Sequence, residues 1–166
     1  MTVQAASSAL APASIGARVV AYIIDAIILF IVGFLVVGLI IGDTSAVGSF
    51  VRAIVYAVLG FLYFGYTWTA WRSSPGQRVL GLSTVNADSG ATLTWNEATV
   101  RWAWLFGPSV VQSLFSQQLT GFLGVLVGLV VLAYYIYLLY TTATDARRQG
   151  FHDKQAGTLV TLRTPA

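Results

Sequence analysis

Cysteine is absent from the 166 residues, so disulfide frames, thiolate nucleophiles and cysteine-bound metals are excluded. Charge is scarce as well. Asp, Glu, Lys and Arg make up 9% of the chain, against about 25% in a soluble domain. A chain that is 57% hydrophobic cannot cover a soluble surface with so few charges, and lipid is its natural solvent. Histidine occurs once, at His152. One His beside one Asp falls short of the three or four ligands of a metal site. No G-x-S-x-G nucleophile elbow is present. Gly76 to Gly81 has the G-x-x-x-x-G spacing of a phosphate loop, but Leu82-Ser83 follows it instead of Lys-Ser/Thr. No enzyme activity, cofactor or nucleic-acid partner is expected.

Apolar runs dominate what remains. The first, Val19 to Ile41, is too long for the core of a secretory signal, and its Ala/Ser-rich leader is uncharged. It reads as a retained span. Gly42-Asp43-Thr44-Ser45 reads as a polar turn, and a second run extends from Val51 to Trp71. A third, shorter run starts near Arg101 and contains Pro108, expected to kink it. After a turn at Gln117–Thr120, the fourth runs from Gly121 to Tyr140. About 20 helical residues cross a bilayer core. The expected architecture is therefore an all-α membrane protein, a bundle of four transmembrane helices with a small cytoplasmic β-hairpin.

Arginine placement orients the bundle. With four crossings, Arg18, Arg72, Arg78, Arg101, Arg147, Arg148, Lys154 and Arg163 share one side, and only Arg52 lies on the other. Basic residues near span ends favour the cytoplasm, so both termini are expected there. Trp68, Trp71, Trp102 and Trp104 fall where interfacial aromatics are expected. Between spans two and three, "VLGLSTVNADSGATL" reads as two short strands around a turn at Asn86–Gly90. Thr94-Trp95-Asn96-Glu97 has the form of a capping box that starts the next helix. The C-terminal "GTLVTLR" alternates like a strand and is expected to pair with the hairpin.

Asp25 is the one acid inside the first span. Intramembrane carboxylates cost about 2.5–3.5 kcal/mol at a helix centre. Two readings stay open: a proton or cation site, or a packed acid that fixes helix register. Arg18 lies seven residues away, about 10.5 Å along the axis, and leans the other way. Depth counting from Arg72 and from Asp145 places Tyr66, Thr67, Tyr137 and Tyr140 near Asp25 as hydrogen-bond partners, with Arg72 reaching down. Arg18 is expected to meet headgroups or the Asp153 segment, and Asp153 to bond Arg18, Arg78 or Arg101. Gln112 in the third run either lines a polar path or bonds a neighbouring helix. Small-residue pairs Ala17/Ala21 and Gly124/Gly128 suit close helix packing.

Three stretches, "ARVVAYIID", "SSPGQRVLGLSTVNADSGATLTWNEATVR" and "GFHDKQAGTLV", together resemble the RDD family of small prokaryotic membrane proteins. The resemblance implies that Arg18, Asp25 and Asp153 are its arginine and two aspartates. The family's G-K-R-x-x-G element corresponds to Gly76, Arg78 and Gly81, with Gln77 in place of lysine. His152 and Gly157 lie in the last stretch. On this basis residues 1–14 form a flexible tail, and 15–163 an RDD-type transmembrane domain of a prokaryotic inner membrane.

The resemblance also implies transport, with sodium–proton exchange associated with some relatives. A proton or monovalent-cation route would use Asp25, Tyr66, Thr67 and Gln112. Four short helices leave little room for a pore, so such a route implies a homo-oligomer. The alternative is a non-catalytic accessory or regulatory subunit of a larger membrane complex.

Overall fold

The computed structural model describes residues 10–40, 45–116 and 118–163. Ile41, the proposed turn at Gly42–Thr44 and Gln117 lie outside them, as do the first nine residues of the tail.

Three long helices are apolar enough to cross a membrane: α1 (Ile15–Ile40), α2 (Ala46–Trp71) and α5 (Gly121–Thr144). Outward-facing Phe30, Phe34, Phe122 and Val130 are strongly exposed, which in water would be untenable and in lipid is the rule. Four spans were expected. The fourth candidate, α4 (Trp95–Leu114), is long enough but less apolar than the other three, and its first two turns carry Glu97 and Arg101. Its apolar C-terminal half nevertheless runs along the spans. Ser109, Val110 and Ser113 line one cavity with Gly33 of α1 and Ala53 of α2. It packs on α5: Tyr134 donates to the Trp104 carbonyl, and Ser109 and Tyr135 hydroxyls are 2.6 Å apart. The helix passes through Pro108 without interruption.

Each turn into the polar end has a local cause. Arg72 ends α2 with φ 60°, in the left-handed region, and the chain doubles back. Ser74 then caps a five-residue helix, α3 (Pro75–Val79). Its hydroxyl accepts the Gln77 amide, and the Gln77 side chain accepts the Ser74 amide. Pro75 suits the first turn because no hydrogen bond is asked of its nitrogen. The expected box at Thr94 and Glu97 caps α4 in the same way.

The small sheet keeps the expected pairing of the C-terminal strand but lacks the second strand of the expected hairpin. β1 (Leu82–Asn86) pairs antiparallel with the C-terminal β2 (Thr158–Leu162), from Leu82 opposite Leu162 to Asn86 opposite Thr158. Residues 91–93 form no strand. The turn at Asn86–Gly90 does close, but only three residues then remain before the α4 cap, and Leu93 is buried against Phe64, Trp68 and Ala98. Ala11 to Ala13 also bond along β2, and Ala13 is fully buried. Between α5 and β2 lies the short α6 (Phe151–Ala156), which Gly157 ends at φ 62°.

Ala21 is buried, and its carbonyl lies against Gly76 with no room for a Cβ there. Gly124 meets only the Leu119 carbonyl of the turn before its own helix, and Gly128 lies beside Gln112.

Candidate functional site

Two polar constellations meet at the end of the bundle where α1 begins. The first is built on Asp25, which is 2% exposed. Its carboxylate accepts the Tyr63 hydroxyl at 2.7 Å, the Gly76 amide at 2.8 Å and the Ser74 hydroxyl. The last two belong to the first turn of α3, which the reversal at Arg72 folds back against α1. Gly76 is required there, because any side chain would strike the Ala21 carbonyl.

The partners expected from depth counting are not the ones found. Tyr66 is half-exposed with its ring against Trp71, and Thr67 bonds the Phe64 carbonyl of its own helix. Arg72 bonds the Gly90 carbonyl, and no bond joins Asp25 to Tyr137 or Tyr140. Tyr63 lies four residues before Thr67 on the same helical stripe, so the estimate was one turn too shallow. It ignored α3, whose return reaches Asp25 directly. Gln112 lies beside Gly128 of the neighbouring helix α5.

The second constellation centres on Asp153, which has no exposed surface. Arg101 forms a short ion pair with one carboxylate oxygen, and Arg18 pairs with the other at 3.2 Å. The Gly150 amide, one of the free donors at the start of α6, also bonds Asp153 at 3.0 Å. Arg101 further donates to Thr158 at 2.7 Å, and Arg18 to the Val160 carbonyl at 2.9 Å. This clasp ties α1, α4, α6 and β2 together. Removing Asp153 would leave two guanidinium groups unpaired, an effect of about 3–5 kcal/mol for a buried pair. Arg78, the third expected partner, lies over the Trp71 ring at 4.6 Å instead.

Burial opposes ionisation of Asp153. Arg101, the imidazolium that His152 becomes in acid, and Arg18 outweigh burial and pull the carboxyl down to about 2. Burial also holds the His152 imidazole down to about 4. Asp153 opposes that shift, while Arg101 and Arg18 reinforce it. At pH 7 the clasp is thus an ionised carboxylate between two guanidinium groups, beside a neutral imidazole.

An inner cavity of about 330 Å³ adjoins both constellations. Arg18, Asp25, Ser74, Arg101 and His152 contribute to its lining, and Trp68 and Leu138 form part of its apolar wall. Arg18 and Asp25 make no direct bond but share this cavity. A second, outer cavity of about 360 Å³ extends along α1 from Ala26 to Gly33, lined also by Ser109 and Ser113. Tyr22, Phe64 and Phe106 line both cavities. Phe106 stacks on Phe64 at 4.8 Å and on Tyr22 at 6.0 Å, so the cavities meet at an aromatic septum.

Sequence reasoning missed Tyr63, Ser74 and Trp68 as site residues. Trp68, expected at the membrane interface, is 2% exposed, with Arg101 over its ring at 5.0 Å. Ser74 had a signal: Ser-Pro-Gly-Gln is a capping box with proline at the first helical position.

Gly81 takes φ 65°, and the buried Gln77 uses its side-chain oxygen on Ser74 and Thr84. These positions of the motif therefore shape the turn rather than present a cation. No curated protein and no solved structure matches the chain. The model of the RDD family matches residues 12–157, a stretch that includes Asp25, Asp153, Arg18 and Arg101, and this multi-pass membrane protein belongs to that family.

Proposed function

We propose that the chain is a small transporter, in its most specific form an exchanger of protons for monovalent cations, with Asp25 as the group that binds them. The observation that carries this reading is the pair of cavities end to end in the bundle, with Asp25 on the inner side of the aromatic septum. Three oxygen-bearing side chains, Asp25, Tyr63 and Ser74, converge there. Both hydroxyls donate to the carboxylate, and rotation of either would present lone pairs to a cation. In this reading α4 completes a fourth crossing and both termini are cytoplasmic, as the arginine asymmetry requires. The bundle then works as a homo-oligomer in a prokaryotic inner membrane.

The test is flux through purified protein in proteoliposomes. An imposed sodium or potassium gradient should drive proton movement in the wild type. Asp25→Asn should abolish it while melting within about 1–2 kcal/mol of the wild type, because the amide keeps most of the hydrogen bonds. Asp25→Leu should be far less stable, since Tyr63, Ser74 and the Gly76 amide lose their acceptor. A folded Asn variant with undiminished flux removes Asp25 as the carrier.

The alternative, an accessory subunit, draws on α5. Only Leu138 and Thr142 of this helix are buried, which leaves a long face free for a partner. Absence of flux together with a stoichiometric membrane partner in mild detergent would establish it.

A further inference from the structure

The inner cavity carries a chemical asymmetry that cation exchange does not use. Three N–H donors, Arg18 Nε, Arg101 Nε and Trp68 Nε1, have no hydrogen-bond partner among the described residues, and neither does His152 Nδ1. All three residues line this cavity, and Arg101 and Trp68 are 4% and 2% exposed. Buried donors without acceptors are costly, and native structures satisfy nearly all of them. The donors are also of one kind. Each asks for an acceptor oxygen, and of the four nitrogens only His152 Nδ1 has a lone pair to offer a cation.

Placement of the charges points the same way. Arg18 and Arg101 share the single carboxylate of Asp153, so the clasp by itself retains one formal positive charge. Asp25 lines the same cavity and balances that charge, but its oxygens are taken up by Tyr63, Ser74 and Gly76, whereas the arginine side keeps donors without acceptors. The remaining wall is apolar, including Leu105, Phe106 and Leu138. Tyr22 and Leu139, also in the lining, are 45% and 48% exposed on the two membrane-length helices α1 and α5. These two residues bring the edge of the cavity to the outer surface of α1 and α5, which a bilayer would cover.

We propose that the inner cavity is a binding site for the oxyanion head of a membrane phospholipid, held by Arg18, Arg101 and Trp68 and entered sideways between α1 and α5. Its volume lies at the lower end for small-molecule sites. A two-chain lipid would seat its head there and leave its tails in the bilayer. Guanidinium groups suit the head because they give charge-assisted bonds to phosphate oxygens. This ligand is distinct from the transported ion, and its binding is measured without any flux.

The experiment titrates delipidated protein in detergent with phosphatidylglycerol, diacylglycerol or inorganic phosphate. Binding is read by native mass spectrometry and by thermal shift. Phosphatidylglycerol should bind at about one per chain and raise the melting temperature, with the other two inert. Trp68→Phe keeps an aromatic ring but removes one donor, and should weaken binding about tenfold, the loss of about one hydrogen bond to a charged group. Its lipid-free melting temperature should fall only by the packing lost with the smaller ring, and binding is compared with that lipid-free value as the baseline. Leu139→Trp, at a half-exposed position away from the donors, should obstruct the sideways entry and also weaken binding. It serves as the test if the Trp68 variant does not fold. Equal binding of diacylglycerol, or phosphatidylglycerol binding unchanged in the folded variants, would mean surface lipid only and overturn the site. Stabilisation by inorganic phosphate alone would overturn the lipid in favour of a free oxyanion.

Discussion

At the scale of single residues, the two aspartates of the family motif solve the same problem with different partners. Asp153 is neutralised by cations, and Asp25 is satisfied by neutral donors. That difference matters for pH. Asp153 stays ionised in the fold until pH falls toward about 2, and its clasp is at full strength above about pH 4. His152 responds earlier. Its folded value is about 4, while the unfolded imidazole titrates near 6.5. Between these values the unfolded chain binds the extra proton, so stability falls as pH drops through the window. The shift corresponds to roughly 3 kcal/mol when complete. Melting in detergent should therefore drop between pH 6.5 and 4.5 in the wild type. His152→Asn, which cannot titrate there, should lose that slope. Identical slopes in the two proteins would show that some other group carries the dependence.

At the scale of elements, α3 is the piece on which the site depends. It has five residues, too few for stability alone. Its place comes from the left-handed Arg72, the Ser74 cap and the contact of Gly76 with Ala21. Gly76→Ala should break that seat, because the added carbon meets backbone and not a movable side chain. A loss of about 1–3 kcal/mol or more is expected, as for overpacking in a core. Gly81→Ala has open space around it and only the φ of 65° against it, about 1–2 kcal/mol. Thermal unfolding should rank Gly76→Ala as the more harmful. The reverse order would mean that α3 does not lie against α1 as described. Much at this scale was legible. The apolar runs, the box at Thr94 and the strand at Thr158–Leu162 were read from pattern alone. The fold-back of α3 was not. Depth counting treats each span as ending where its apolar run ends, and a chain reversal defeats it. The same blind spot gave Asp25 the wrong tyrosine by one turn. The hairpin failed for a related reason: alternation in 91–93 was real, but burial of Leu93 and the nearby cap claimed those residues first.

At the scale of the whole molecule, composition assigned the chain to a membrane, and three membrane-length helices agree. α4 shows why a count of spans from hydropathy is fragile. Its first turns carry the charges of the clasp, and its last turns lie among the spans. The cavities were not legible at all, since they arise from which faces fail to meet, and no periodicity records that. Arg18 and Asp153 were legible as partners because both sit at one membrane face with opposite charge. In the proposed transport route the inner and outer cavities, parted by Tyr22, Phe64 and Phe106, open toward opposite sides of the membrane. The chain has no cysteine, so a single introduced thiol reports without background. Thr142→Cys would stand in the inner cavity and Ser113→Cys in the outer. With a membrane-impermeant maleimide applied to sealed vesicles of each orientation, position 142 should label only from the cytoplasmic face and position 113 only from the opposite face. Labelling of both from one face, or of neither except by a membrane-soluble maleimide, would contradict the two-cavity route.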